Sequence, residues 1–329
     1  MNLATPLTAH AGIELPIIGG AMYPCSNPEL VAAVSEAGGI GIIQPISLTY
    51  VHGHRFREGI QLIRRLTTKP IGMNALIEAS SRAYHERMVS WVDIALEEGV
   101  RFFVTSLGNP RWVVDRVSPY GGIVYHDVTG RKWALKGRDG GVHGLIAVNR
   151  RAGGHSGDLG AEALLAELAD LGLPVVAAGG VGDGPEFVAA LRLGYAGVQI
   201  GTRLIATPEC SASDAYKQAI VAAREADIVH TERLSGVPVA VIRTPYVERI
   251  GTTIGPLARR LFRGRRTKKW IRAWYALRSL RALKRTSIGR DSADPAAAVW
   301  QAGMSVATIG AIEPVATLFQ RFRAHAEAA

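Results

Sequence analysis

Over the first 225 or so residues, short runs of β-branched and other apolar residues alternate with longer stretches in which apolar positions recur every three or four residues. The runs predict strands at Ile17–Gly20, Ile40–Ile43, Ile71–Asn74, Phe102–Thr105, Ile123–His126, Gly144–Val148, Val175–Ala178 and Gly197–Ile200. The stretches between and after them predict helices at Pro28–Ala37, His54–Arg65, Ala83–Glu97, Arg111–Val117, Arg131–Asp139, Ala161–Leu171, Gly184–Arg192 and Ser213–Ala226. Strict alternation of the two implies a parallel sheet. Eight such units in about 200 residues imply an α/β fold of the closed (β/α)8 TIM barrel type rather than an open sheet. The runs are apolar on both sides of the alternation, as strands covered on both faces must be. A doubly wound dinucleotide fold would carry GxGxxG after its first strand. The chain has Gly19-Gly20-Ala21-Met22-Tyr23-Pro24 there, which does not supply it.

Beyond residue 250 the pattern breaks. Gly251–Arg290 reads as an inserted helical subdomain, with a helix resuming at Pro295–Gly303 and a terminal helix at Glu313–Ala329. The predicted organisation is a barrel of residues 1–250 and 291–329 carrying an insertion at 251–290, near the C-terminus.

Charge singles out the same insertion. The chain has a net charge of +10, yet Pro256 to Arg290 holds 13 Lys or Arg and no acid, leaving the remainder at −3. The cations are Arg259, Arg260, Arg263, Arg265, Arg266, Lys268, Lys269, Arg272, Arg278, Arg281, Lys284, Arg285 and Arg290. Among them Trp270, Trp274, Leu277, Leu280 and Leu283 recur at spacings of three and four, which marks a basic amphipathic helix. Its candidate roles are a lid over the barrel mouth, a dock for an acidic carrier protein or for CoA phosphates, and, less favoured, a contact with an anionic membrane surface. So local an excess argues against nucleic acid as a partner. Cys25 and Cys210 are the two cysteines and form no CxxC pair, and the histidines lack HExxH spacing, so neither a disulfide framework nor a metal site is predicted. The N-terminus lacks signal-peptide character and no apolar run reaches membrane length, so the cytoplasm is the expected compartment.

In a barrel of this kind chemistry gathers at the C-terminal ends of the strands. Ala178-Gly179-Gly180-Val181 follows the seventh predicted strand and Gln199-Ile200-Gly201-Thr202 lies at the eighth; together they predict a phosphate site built from backbone N–H groups. Arg151-Ala152-Gly153-Gly154-His155-Ser156-Gly157 follows the sixth. A histidine set among glycines on a loop suits a proton acceptor or anion stabiliser beside a flat ring. Gly20, Ala21 and Met22 suit a wall against such a ring, and Asn74 can bond its polar edge. His126-Asp127 invites a triad reading, but adjacent strand residues point to opposite faces and no GxSxG elbow accompanies them.

These motifs, with Glu36-Ala37-Gly38-Gly39, Gly72-Met73-Asn74, Pro174–Asp183 and Val299-Trp300-Gln301-Ala302-Gly303, resemble the nitronate monooxygenase (2-nitropropane dioxygenase-like) family. That family shares its fold with the FMN-dependent enoyl-acyl carrier protein reductases of type II. The resemblance implies one non-covalent FMN. It places Gly20, Ala21, Met22, Asn74, His126, Gly153, Gly154 and Ala178 around the flavin, and Gly179, Gly180, Gly201 and Thr202 at its phosphate with Gln199 close by. His155 matches the active-site histidine, with Arg151 and Ser156 facing a small-molecule substrate. The implied activity is oxidation of alkyl nitronates with oxygen. The alternative is an NAD(P)H-dependent reductase of an enoyl thioester, carried on acyl carrier protein or CoA, or of a quinone. A flavin-binding protein without turnover is a third reading, against which the intact His155 loop speaks. A homodimer is a candidate assembly. Two positions depart from the family: Asp127 stands where a lysine often follows the strand histidine, and Arg151 where an acid is common.

Overall fold

A computed structural model describes residues 1–78, 81–255, 267–288 and 298–329. Eight parallel strands close into a barrel in sequence order: β1 Ile17–Gly19, β2 Ile40–Ile43, β3 Ile71–Ile77, β4 Phe102–Leu107, β5 Ile123–Val128, β6 Gly144–Val148, β7 Val175–Ala178 and β8 Gly197–Ile200. The ring closes through β1 and β8, with Ile18 opposite Gln199. Each expected strand is present, and β3, β4 and β5 run two or three residues further toward the mouth than the apolar runs predict.

The barrel interior is hydrocarbon over most of its length. Ile18, Ile42, Phe102, Val104, Tyr125, Ile146 and Val176 fill it. The short helix α1, Pro6–Ala11, sends Leu7 and Ala11 into the same cluster, and Thr5 at its N-cap bonds the carbonyl of Ala196 just before β8 at 2.7 Å. Helix α1 therefore stoppers the N-terminal end, and the C-terminal mouth remains for a ligand.

The outer layer comprises α2 Pro28–Glu36, α3 Phe56–Leu66, α4 Arg82–Glu97, α5 Arg111–Val117, α6 Arg131–Asp139, α7 Ala161–Leu168 and α8 Gly184–Arg192. After β8 come α9 Thr202–Ile205, α10 Asp214–Ala222, an antiparallel hairpin of β9 Ile228–Thr231 and β10 Val239–Ile242, α11 Pro245–Ile250, α12 Thr267–Ser287 and α13 Val315–Glu327. Helix α13, not α10, occupies the last place in the ring. It packs against α8 and α2, with Phe322 5.5 Å from Phe187. Its approach is pinned by Arg203, 1% exposed, which bonds the Glu313 carboxylate at 3.0 Å and the Ala311 carbonyl at 2.9 Å.

Two features differ from the sequence expectation. The hairpin β9–β10 is an addition to the barrel pattern. And where a helix was expected at Pro295–Gly303, the described part, 298–303, is extended: Gln301 bridges Val241, and Ile242 N–H donates to the Trp300 carbonyl at 2.9 Å. Edge pairing with β10 satisfies backbone groups that a helix would have satisfied internally. Residues 256–266 and 289–297 lie outside the described residues, and with them Arg259, Arg260, Arg263, Arg265, Arg266 and Arg290 of the insertion.

Candidate active site

The loops after β7 and β8 are neighbours because Ala178 stands opposite Gln199 in the sheet. Gly179 and Gly180 both take positive φ, +110° and +86°. A Cβ on Gly179 would lie 2.5 Å from the Ala152 nitrogen, and one on Gly180 2.6 Å from the Arg151 Nε. Glycine is thus required by conformation and by close approach. Among the described residues, the N–H groups of Gly180 and Val181, both buried, meet no acceptor. Buried backbone donors are nearly always satisfied, so this pair fits an anionic ligand. The next donor is taken: Gly182 N–H bonds Glu186 at 2.7 Å, and Asp183 caps α8 through Glu186 N–H at 3.0 Å.

Across from them, the short α9 has no side-chain cap, and Thr202 Oγ1 accepts from Gly303 N–H at 2.9 Å, leaving its own proton to donate. Met22 Sδ would lie 3.3 Å from a Cβ on Gly201, so the loop after β1 meets the loop after β8, and Gly20 N–H donates to the Ile200 carbonyl at 2.8 Å. A phosphate with an attached flat ring fits this cradle: donors at one end and the small wall Gly20-Ala21-Met22 beside it.

Sequence parity decides which strand residues reach the mouth. Residues two apart share a face. Tyr125 points into the barrel, so Asp127 does too, and Asn74, Ala178 and Gln199 join it on β3, β7 and β8. Asn74 spends one amide proton on the Val104 carbonyl at 3.3 Å. Asp127 Oδ1 and Gln199 Oε1 are buried without a partner among the described residues. Burial pushes the Asp127 carboxyl up to about 7, against a lowering contribution from the Gln199 amide.

His126 is on the other face. It is 2% exposed, bonds Thr105 Oγ1 at 2.9 Å through Nδ1, and is covered by α6, where Gly137 leaves room for its ring. The expectation that it lines the flavin is corrected by that parity: its neighbour Asp127 takes the inward place. Burial, with a smaller contribution from Lys136, lowers the His126 imidazole from 6.5 to about 4. Between those values the unfolded chain binds a proton that the folded chain refuses, so stability falls as pH drops through the window, by roughly 3 kcal/mol in all. Urea unfolding of the wild type and of His126→Asn should differ accordingly: the wild type loses more stability between neutral pH and the lower end of that window.

The His155 loop is held from above by the hairpin. Gly154 exchanges backbone bonds with Ala240, Ser156 Oγ bonds His230 Nε2 at 2.9 Å, and His155 Nε2 lies 3.2 Å from Ser235 Oγ. Ser235 gives its single proton to the Val237 carbonyl at 3.0 Å. The His155 proton therefore sits on Nε2, leaving Nδ1 as an acceptor unengaged among the described residues. Surrounding protein holds this imidazole below its ordinary value, while the ring stays open to solvent.

Gly153 and Gly303 pack backbone to backbone: a Cβ on either would come within 3.0 Å of the other's amide nitrogen. Arg151 is ion-paired to Glu225 at 3.0 Å and Glu186 at 3.8 Å, so its charge is directed to protein carboxylates. Ser156 is likewise occupied by His230. Asn149, absent from the sequence expectation, stitches the two key loops together: its Nδ2 donates to the Gly179 carbonyl at 2.9 Å and its Oδ1 accepts from Arg151 N–H at 2.8 Å. An Asn immediately after an apolar run and two residues before the bonded N–H is the signature of an Asx turn, which could have revealed it.

Helix α12 lies beside this mouth. Tyr23, next to Met22, donates to the Leu280 carbonyl at 3.1 Å, and Lys284 donates to the Tyr50 carbonyl at 2.6 Å. Leu283 is buried with Val239, Val241, Val247 and Val299, while Arg278, Arg281, Lys284 and Arg285 are exposed. Of Lys268, Lys269, Trp270, Arg272 and Leu277 the backbone path alone is described.

Comparison with known proteins agrees with this architecture. FabK from Thermotoga maritima superposes with a TM-score of 0.81 at 28% identity, covering 99% of this chain and 97% of that one. A (3aS,4S,5R,7aS)-5-hydroxy-7a-methyl-1-oxo-octahydro-1H-indene-4-carboxyl-CoA dehydrogenase of Mycobacterium tuberculosis is 32% identical over 254 residues, 76% of this chain and 69% of that protein. A probable nitronate monooxygenase of Staphylococcus saprophyticus is 28% identical over 292 residues, 76% of this chain and 81% of its own length. The nitronate monooxygenase family pattern matches residues 4–320, and with eight βα strands in a closed barrel and the glycine loops in place, the chain belongs to that family of oxidoreductases.

Proposed function

We propose that the chain is an FMN-dependent oxidoreductase whose substrate is an acyl-CoA thioester. The observation that carries the substrate class is the row of exposed cations Arg278, Arg281, Lys284 and Arg285 on α12, tied by Tyr23 and Tyr50 to the loops at the mouth. A small neutral or singly charged substrate has no use for such a row. The phosphates of CoA do, and the 32% identical relative is named as a carboxyl-CoA dehydrogenase. An acidic carrier protein presents the same charge and is the alternative bearer of the thioester.

The loops at Gly179–Gly180 and Gly201–Thr202 hold the FMN phosphate, and Gly20, Ala21, Met22, Asn74, Ala178 and Gln199 surround the ring. Bound flavin supplies a two-electron acceptor and donor. The chain's own groups do the rest: His155 accepts or returns a proton through Nδ1, and the hairpin covers the loop that carries it. A second reading, oxidation of alkyl nitronates with oxygen, is favoured by that same Nδ1, which is neutral and unengaged among the described residues. NAD(P)H is the electron donor if the thioester is reduced rather than oxidised.

Anaerobic mixing separates these readings. Bleaching of the flavin by a hydroxyacyl-CoA, or by NAD(P)H with recovery on adding an enoyl-CoA, is expected; bleaching by an alkyl nitronate alone overturns the thioester reading. Charge reversal by Arg278→Glu with Arg281→Glu should raise KM for the CoA ester by roughly 3- to 30-fold, since exposed charge contacts are worth about 0.2–1 kcal/mol each and reversal adds repulsion, with kcat unchanged.

A further inference from the structure

We propose that Asp127 is a proton-exchanging residue of the cofactor site: its inward carboxyl, facing Gln199 across the top of the barrel, takes up a proton when the bound flavin gains negative charge. This rests on the reading of the mouth as a flavin site.

The barrel interior below Asp127 is hydrocarbon, filled by Tyr125, Ile146, Phe102 and Val104. The carboxyl is set into its upper rim, with Ile146 of β6 as its sheet neighbour. Its Oδ1 and the Oε1 of Gln199 are both buried and, among the described residues, both without a donor. Two orphaned acceptor oxygens at one place require a proton to share or a ligand that brings donors. A carboxylate in these surroundings is costly, and burial already pushes the group up to about 7, with Gln199 opposing. Nearby titratable groups are otherwise engaged. His126 on the same strand faces α6, which carries Lys136; Arg151 from the β6 loop is held by Glu225 and Glu186; His155 is held by Ser235; Asn74 from β3 is neutral. No cation among the described residues contributes to holding the Asp127 carboxylate in its charged form.

The balance is simple. Two-electron reduction by a hydride donor adds two electrons and one proton to the flavin and leaves one net negative charge on it. A like charge held at the mouth would then raise the proton affinity of the Asp127 carboxylate. Water delivers the second proton to Asp127, and reoxidation releases it, so no further oxidant or reductant enters. Where a lysine would answer the negative charge with a fixed positive one, this chain answers it by neutralising its own acid.

The test is the midpoint potential of the bound flavin against pH, by spectroelectrochemical titration of the wild type, Asp127→Asn and Asp127→Glu. With the second proton, the equilibrium constant of the two-electron couple changes 100-fold per pH unit above neutrality, about 59 mV; with one proton it changes tenfold, about 30 mV. The steep slope is expected in the wild type and in Asp127→Glu, and the shallow one in Asp127→Asn. Equal slopes in wild type and Asp127→Asn overturn the proposal while leaving flavin binding intact, whereas failure of the wild type to form a yellow complex overturns the flavin reading instead. Infrared spectra of the apo chain test the proton without flavin. A carboxylic-acid band that persists to neutral pH, titrates away above it and is absent from Asp127→Asn is expected; a wild type with no such band at neutral pH overturns the assignment.

Discussion

Replacing His155 with alanine should slow turnover by about a hundred- to ten-thousand-fold while the flavin stays bound, the range expected for loss of a positioned general acid or base. Ser235 spends its only hydrogen on Val237, which forces the His155 proton onto Nε2 and presents Nδ1 as a base. The hairpin fixes the ring through the Gly154–Ala240 pairing, so the base is aimed rather than free. Because the surrounding protein lowers this imidazole below 6.5, the neutral, competent form is retained throughout the neutral range and is lost as pH falls through the lowered value. The wild-type rate should therefore be flat from neutral pH upward and fall on acidification, and the alanine variant should lose that acid limb. Loss of flavin absorbance in the variant, with turnover per bound flavin unchanged, would make His155 a structural residue instead.

Gly179→Val is expected to cost more than about 4 kcal/mol in urea unfolding, in the range reserved for severe backbone or packing conflicts. A side chain at φ +110° is outside the left-handed region that even asparagine visits, and its Cβ would stand 2.5 Å from the Ala152 nitrogen and 2.7 Å from Asn149 Oδ1. These partners are backbone and a side chain already bonded to the Gly179 carbonyl and Arg151 N–H, so they cannot yield without unstitching the β6 and β7 loops. Wild-type stability in this variant would contradict the assigned loop conformation.

Much of this was legible from the chain alone, for definite reasons. Barrel strands are short, buried on both faces and bounded by glycine or polar turns, so runs such as Ile40–Ile43 and Val175–Ala178 declare themselves, and the structure places strands over the same residues. The glycines of the β7 loop were legible because conformation and close approach leave no other residue to choose at Gly179 and Gly180. The hairpin β9–β10 was not, since Ile228–Thr231 and Val239–Ile242 are four residues each and the bridges that anchor β10, Ala240 to Gly154 and Val241 to Gln301, join residues far apart in the chain. The same long-range pairing turned 298–303 from an expected helix into an edge strand-like segment. Within the site, the inward and outward order of His126 and Asp127 follows from counting back to Tyr125, a parity that the histidine's chemical appeal obscured. The partners of Arg151 are 35 and 74 residues away, Glu186 and Glu225, and no local pattern announces them.

The central claim is that the mouth holds a flavin by its phosphate, with the loops of Gly179–Gly180 and Gly201–Thr202 as the cradle. The direct measurement is the dissociation constant of FMN against that of riboflavin, by fluorescence quenching, in the wild type. Two or more charge-assisted bonds from N–H and hydroxyl donors, at about 1.5–3 kcal/mol each, predict at least a roughly hundredfold preference for FMN. Equal affinity of the wild type for the two flavins would contradict it.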